Sequence, residues 1–169
     1  IIYAVDSNGK TLYGQRDLIK INNVEQNSTN HSPIIGWSYD GHPIYGPYGY
    51  ITRSGGVATQ MKSGYKLDLK SNRPTVTEFP IGFFIEDYTY LKVKDESTLD
   101  ENNGRFCVTP EYPKGTYAYF ATFDLSVASA GPFVGYKSPV FPYLVGKNFK
   151  AIPNKFNFDY KSNQDNIDL

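Results

Sequence analysis

Apolar and polar residues alternate in short runs along much of this chain, and glycine, proline or asparagine separates one run from the next. Alternation with a period of two puts successive side chains on opposite faces of a strand. It predicts strands at residues 34–39, 43–45, 65–69 and 140–145, and a core strand at 83–91. The longest run, residues 116–127, is apolar on both faces, so we expect it to be central in a sheet.

Turn-forming residues divide these runs. Asp40 and Gly41 are a two-residue turn signal between the strands at 34–39 and 43–45, and this hairpin is expected to be buried. Asn103 with Gly104 is a second hairpin signal. Residues 54–56 are expected to form a loop. The charged segment 92–99 is the only candidate for a short helix.

These elements predict a mainly β fold: a single compact domain of short antiparallel strands and hairpins with long ordered loops. The domain covers residues 1–153. Residues 1–31 form an N-terminal hairpin and loop, or alternatively a lead-in from a preceding domain, and residues 154–169 form a polar arm or linker. Because Ile1 lies in a strand-like run with no initiator methionine, we expect a piece of a longer polypeptide or a processed product.

Size and composition agree with one domain. A chain of 169 residues can bury about 70% of its unfolded surface around a single core. The single cysteine, Cys107, cannot form an intrachain disulfide, and its alternating context predicts a small core residue.

Charge and hydropathy argue against two classes of partner. Basic and acidic residues are equal in number, 17 of each, so no basic footprint for nucleic acid is predicted. No apolar run approaches the roughly 20 residues that a membrane span needs. We therefore expect neither a nucleic-acid partner nor a membrane contact.

Three ordered motifs resemble a known family. Residues 40–47 (Asp-Gly-His-Pro-Ile-Tyr-Gly-Pro), 99–105 (Leu-Asp-Glu-Asn-Asn-Gly-Arg) and 141–146 (Phe-Pro-Tyr-Leu-Val-Gly) resemble the signatures of the YHYH domain family. That family is named for a Tyr-His-Tyr-His motif. Here Tyr117 and Tyr119 remain, whereas Ala118 and Phe120 stand where the two histidines belong.

The resemblance also implies a setting. The variant at residues 115–122 is most similar to copies in virion structural proteins, in the tail, baseplate or fibre, of contractile-tailed viruses of marine cyanobacteria. Cellular members often carry a cysteine at the position of Asn102 and another near Lys147, and both are missing here. This resemblance implies a virion protein that assembles in the host cytoplasm.

The candidate chemistry is sparse. His42 is interpreted either as a metal ligand or general base, or as a ring that packs on aromatics and donates to a backbone carbonyl; the second is favoured. His31 is the only other histidine, so a zinc or copper site is not predicted, and no cofactor is expected. A glycosidase pair formed by Glu86 or Asp87 with Asp100 is a weaker alternative.

The charged motif at residues 99–105 has two interpretations. With its asparagines it is a candidate Ca²⁺ cluster, but it lacks the regular spacing of a calcium loop. The favoured alternative is a turn clamp, in which a carboxylate of the motif pairs with Arg105 across the turn. The residues assigned to this structural motif are Asp100, Glu101, Asn103, Gly104, Arg105, Tyr117 and Tyr119.

Aromatic residues are abundant, with one Trp, 15 Tyr and 11 Phe. Most are expected in the core, and a minority at loop tips is a candidate platform for sugar rings or a protein partner. The candidate binding residues are Trp37, Tyr39, Asp40, His42, Tyr45, Tyr48 and Tyr50.

The sequence leads to one favoured function and two alternatives. The favoured one is a non-catalytic virion structural and interaction module that contacts other virion proteins and forms a homo-oligomer within the particle. The first alternative is a domain that binds a glycan or receptor on the host surface. The second is a metal-binding domain or metal-dependent enzyme of the cellular type, against which the residues Ala118 and Phe120 argue.

Overall fold

The computed structural model describes residues 30–124, 138–154 and 157. Short strands dominate this part of the chain, and one 3₁₀ turn, Ile85–Asp87, lies between the fifth and sixth. The strands are β1 Ile34–Trp37, β2 Pro43–Tyr45, β3 Tyr48–Thr52, β4 Gly55–Gln60, β5 Tyr65–Leu67, β6 Tyr88–Tyr90, β7 Gly104–Cys107, β8 Thr116–Phe120, β9 Phe123–Asp124 and β10 Ser138–Pro139.

The largest sheet has the order β1-β2-β8-β7. β1 and β2 form the predicted antiparallel hairpin, and its turn is closed by the Gly41 N–H, which donates to the Ser38 carbonyl at 2.9 Å. Gly41 has φ +83°, which glycine adopts without strain. β8 pairs in parallel with β2 and antiparallel with β7. The prediction that β8 is central is therefore confirmed, although the strand ends at Phe120.

Three two-stranded antiparallel sheets complete the fold: the hairpin of β3 and β4, the pair β5 and β6, and the pair β9 and β10. The fold class is thus as predicted, a compact and mainly β domain of short strands with almost no helix. The hairpin of β3 and β4 was not predicted, and Gly55 and Gly56, expected in a loop, begin β4. Their φ values of +131° and +106° make this strand start one that only glycine adopts easily.

The alternation of β8 divides the core into two layers. Ala118 and Phe120, both fully buried, face a cluster that contains Tyr45, Met61 and Cys107. The prediction that the cysteine is a core residue is confirmed. On the other face, the tyrosines of β8 pack with Ile44, Ile35, Leu144 and Val145. The sheet therefore separates the motif tyrosines from the positions of the family histidines.

Three predicted elements are wrong. Residues 83–91, predicted to form one core strand, instead form a bend, the 3₁₀ turn and β6, because Gly82 has φ +83° and reverses the chain. Phe83 is accordingly 63% exposed. Residues 92–99 contain no helix, and Asp95 instead closes a turn by accepting the Ser97 N–H at 3.0 Å. Residues 140–145 form turns rather than a strand.

Several predictions concern residues outside the described ranges. They concern residues 1–29 of the predicted N-terminal hairpin and loop, the part of the predicted long strand after residue 124, and all of the polar arm except residues 154 and 157.

Candidate functional site

Each tyrosine of the family motif is hydrogen-bonded to an aspartate from another motif. The Tyr117 hydroxyl donates to the Asp100 carboxylate, with oxygen distances of 2.8 and 3.0 Å. The Tyr119 hydroxyl donates to Asp40 Oδ2 at 2.7 Å. Since β8 alternates, both hydroxyls lie on the same face of the sheet. The turn after β1, the loop before β7 and the central strand thus converge at one place.

The carboxylates are held by further donors. Asp100 Oδ1 accepts the backbone N–H groups of Asn102 at 3.0 Å and Gly104 at 3.1 Å. Asp40 accepts the Ser38 hydroxyl and the Ala151 N–H, the latter at 3.1 Å. Each aspartate therefore closes a turn in addition to binding a tyrosine.

Burial and these carboxylates together raise the pKa values of the two phenols. Burial, followed by the charge and hydrogen bond of Asp100, raises the pKa of Tyr117 far above its usual value. Burial and the Asp40 carboxylate likewise raise the pKa of Tyr119. Burial by itself raises the pKa of Asp40, but hydrogen bonds from Tyr119, Ala151 and His42 outweigh it and leave that pKa lowered. The phenols stay protonated and act as donors to charged carboxylates.

His42 lies beside this pair of tyrosines. Its ring centroid is 5.1 Å from that of Tyr117 and 6.3 Å from that of Tyr119. The aromatic packing expected of this histidine is confirmed, while no described residue forms a hydrogen bond with its ring. In the described part of the chain, no group of three or more His, Cys, Asp or Glu residues is placed to hold a metal ion.

A segment near the C-terminus crosses the site. The Lys150 N–H donates to the Tyr119 hydroxyl at 2.7 Å, and the Lys150 Nζ lies 5.1 Å from the Tyr117 ring centroid. Beside this segment is an open groove of about 500 Å³ on the tyrosine face, lined by His42, Arg53, Asp100, Phe106, Thr116 and Lys150, among others. We refer to it as the Phe106 groove.

The predicted turn clamp is wrong, because among the described residues no carboxylate of the motif pairs with Arg105. Arg105 is 2% exposed and donates to the backbone carbonyls of Glu96, at 2.6 Å, and Tyr50. Its side chain lies on the face of the sheet opposite the tyrosines, because Arg105 pairs with Ala118 in the ladder. Asp100 closes the turn as expected, but its side-chain partner is Tyr117. Glu101 uses its backbone carbonyl, which accepts the Tyr65 hydroxyl at 2.7 Å.

The turn at Asn103 and Gly104 is present, but no strand precedes it. The Asn103 N–H donates to the Asp100 carbonyl at 2.9 Å, and Asn103 has φ +64°. Its side-chain amide, fully buried, donates to the carbonyls of Phe120 at 2.9 Å and Leu144 at 3.2 Å. Asn103 therefore connects the turn with the central strand and with the motif at residues 141–146.

Only two of the aromatic residues predicted to form a binding platform are largely exposed. Tyr45 is fully buried, and its hydroxyl binds Thr109 at 2.9 Å and Glu111 at 2.8 Å. Tyr48 is also buried, and Tyr50 is half-buried. These three residues therefore do not form an exposed platform. Trp37 and Tyr39 are exposed by 57% and 58%.

The structure also argues against Asp87 as a carboxylate of a glycosidase pair. Asp87 is buried in an ion pair, and its Oδ1 accepts Arg73 Nε at 2.6 Å. Arg73 also donates to the carbonyls of Phe79 at 3.0 Å and Pro80 at 2.7 Å. This ion pair stabilises the loop between β5 and β6.

Sequence reasoning missed three residues that line the Phe106 groove and the packing of one half-buried histidine. Arg53, Phe106 and Lys150 come from three separate segments, so no local motif joins them. His31 was expected in a polar loop, but its ring packs 4.9 Å from Tyr45 and 4.8 Å from Tyr50 between centroids. Burial lowers its pKa. The adjacent Ser32-Pro33 and the aromatic run that follows were the available signal.

In the described ranges, no helix has the length and apolar character required to cross a membrane.

Together, the fold and the site define a small β domain whose central strand presents alternating tyrosines to aspartates from two turns. The family model described as "YHYH protein" matches residues 12–131, well over half of the chain. The chain therefore belongs to the YHYH family. Comparisons with curated proteins and with solved structures found no match.

Proposed function

We propose that this chain is a non-catalytic structural and interaction module of a tailed-virus particle, in the tail, baseplate or fibre. The observation that carries the proposal is an exposed apolar loop before β6, which contains Ile81, Phe83 and Ile85, exposed by 55%, 63% and 46%. Large apolar side chains grouped on a surface are typical of sites that bind another protein. We call residues 81–85 the apolar loop.

The apolar loop is supported from beneath. The Phe83 and Phe84 ring centroids are 5.1 Å apart, and both rings pack on Phe79. The buried guanidinium of Arg73 lies 5.2 Å from the Phe84 ring centroid. A loop with this support presents its apolar side chains at little additional entropic cost, as a preorganised contact surface does.

The family motif contributes to the same interpretation. Its tyrosines are hydrogen-bonded within the fold, and the two histidine positions hold Ala118 and Phe120, which are fully buried. These contacts support a motif that stabilises the scaffold. The virion setting rests on the resemblance of residues 115–122 to copies in virion structural proteins.

The setting is tested by mass spectrometry of tailed particles purified on a density gradient from a culture that produces this chain. We expect the tryptic peptides of residues 54–62 and 106–114 to be enriched with particles and to remain after a salt wash. Recovery of both peptides only in the particle-free lysate would contradict a virion role.

The apolar loop is tested with the double variant Phe83→Ser and Ile85→Ser. We expect particles assembled with it to contain several-fold less of the protein, while its folding, followed by circular dichroism, is unchanged. The matched control is Val76→Ser, because Val76 is 54% exposed but lies outside the apolar loop. Equal incorporation of both variants would refute the role of the loop.

The metal-dependent alternative is tested by elemental analysis of the purified protein, combined with light scattering for its mass. Transition metal at one equivalent per chain would favour that alternative and direct attention to His42. A metal-free oligomer would agree with the structural proposal.

A further inference from the structure

The Phe106 groove has the chemistry of a small-molecule site, and this inference does not depend on the proposed virion role. Its volume of about 500 Å³ lies within the roughly 300–1,000 Å³ of ligand pockets. It is open on the tyrosine face of the sheet. We propose that it binds an acidic sugar residue, a hexuronate, through one aromatic ring and two cations.

Phe106 provides an apolar wall. It is 58% exposed although it belongs to a strand of the central sheet, and it pairs with Tyr117 in the ladder. Its ring lies against Gly115, where an added Cβ would be only 2.7 Å from Phe106 Cε1. The glycine therefore allows the ring to lie over the start of β8. A flat, exposed ring of this kind suits the apolar face of a pyranose.

The groove has cations that the fold does not neutralise. Within the described residues, neither the Arg53 guanidinium nor the Lys150 ammonium has a carboxylate in salt-bridge distance. The nearby Glu96 carboxylate accepts the backbone N–H of Arg53 at 3.1 Å. The Arg53 carbonyl accepts the Val108 N–H at 2.9 Å, so its backbone is fixed on both sides. Two such cations favour an anionic ligand.

The remaining polar groups suit hydroxyls. Asp100 is the carboxylate of the groove, and among described residues its Oδ2 accepts only the Tyr117 hydroxyl, so it can accept another donor. His42 and Thr116 supply further polar atoms on the rim. A fixed carboxylate repels a phosphate dianion more than it repels a single carboxylate, whereas it accepts hydrogen bonds from vicinal hydroxyls. The combination favours a hexuronate over a nucleotide.

The test is calorimetric titration of the purified protein with glucuronic acid, glucose and AMP. Glucuronic acid should bind about tenfold or more tightly than glucose, because charge-assisted hydrogen bonds are worth more than one factor of ten. Absence of saturable binding of glucuronic acid would overturn the proposal. Equal affinity for glucose, or tighter binding of AMP, would overturn it as well.

Variants assign the binding to the groove. Arg53→Gln and Lys150→Met should each weaken binding of glucuronic acid by about tenfold, and Phe106→Ala by roughly threefold to tenfold. The matched controls are Lys94→Met, an exposed lysine outside the groove, and Tyr143→Ala, an exposed aromatic outside the groove. Both controls should leave the affinity unchanged. If a control weakens binding as much as its groove counterpart, the site is not the Phe106 groove.

Discussion

Replacing Tyr117 by phenylalanine removes one hydroxyl and little else. The ring is 5% exposed and keeps its place in the core, so the change deletes only the donor to Asp100. That hydroxyl lies 2.8 and 3.0 Å from the two carboxylate oxygens. Asp100 retains the N–H groups of Asn102 and Gly104. The perturbation therefore isolates the bond between the family tyrosine and the turn.

The size of the effect follows from the charge of the acceptor. A hydrogen bond to a charged group contributes about 1.5–3 kcal/mol, and a single O–H shared by two oxygens makes the lower half of that range appropriate. We expect the free energy of unfolding to fall by about 2 kcal/mol. At roughly 2–4 °C per kcal/mol for a domain of this size, Tm falls by about 4–8 °C.

The assay is urea unfolding followed by far-UV circular dichroism, in a double-mutant cycle with Asp100→Ala. The coupling free energy between the two positions should be at least about 1 kcal/mol, since the residues are in contact. Tyr143→Phe is the matched control. Tyr143 is 46% exposed, and its hydroxyl has no hydrogen-bond partner among the described residues, so its loss should cost less than about 0.5 kcal/mol. Additive single effects, or a loss no larger than in this control, would refute the assigned role.

Three further predictions follow from the packing and the titratable groups. Gly146→Ala should destabilise the fold by about 2 kcal/mol or more, because the added Cβ would lie 2.2 Å from a backbone carbonyl oxygen. The control Gly36→Ala, whose added Cβ would have no atom within 4 Å, should cost less than about 1 kcal/mol in the same urea assay. Burial lowers the pKa of His31 in the folded state, so stability should fall as pH drops below about 6.5, and His31→Phe should remove this dependence of Tm; an unchanged pH profile would contradict it. The hydrogen bond from Arg73 lowers the pKa of Asp87, so the stability that the ionised Asp87 contributes should be present above about pH 4 and lost as pH falls through the lower folded-state pKa. Asp87→Asn should therefore lower Tm at neutral pH and reduce the loss of Tm on acidification.

Local signals predicted the centre of the fold. The two-residue period of residues 116–120 assigned Tyr117 and Tyr119 to one face and Ala118 and Phe120 to the other, because side-chain direction in a strand depends only on the backbone. The turn at Asp40 and Gly41 was predicted for a similar reason: a positive φ selects among very few residue types.

Local signals were misleading where a segment's environment decides its structure. The apolar content of residues 83–91 predicted a core strand, but Phe83 is on the surface, because no other described segment of the chain covers it. Nor does a motif specify its own partners. Arg105 follows Asp100 and Glu101 by only five and four positions in the sequence, yet its place in the ladder directs its side chain to the opposite face, towards the carbonyls of Glu96 and Tyr50.

The sequence by itself determined the family, the β class, the central strand and the turns, since these depend on periodicity and on backbone conformations that few residues adopt. Only the tertiary structure decided that Tyr117 binds Asp100 and that Arg53, Phe106 and Lys150 share one groove. Tyr117 and Asp100 are 17 positions apart, and the three groove residues are separated by tens of positions. Their proximity results from strand pairing across the sheet, and no local pattern encodes which distant segments will meet.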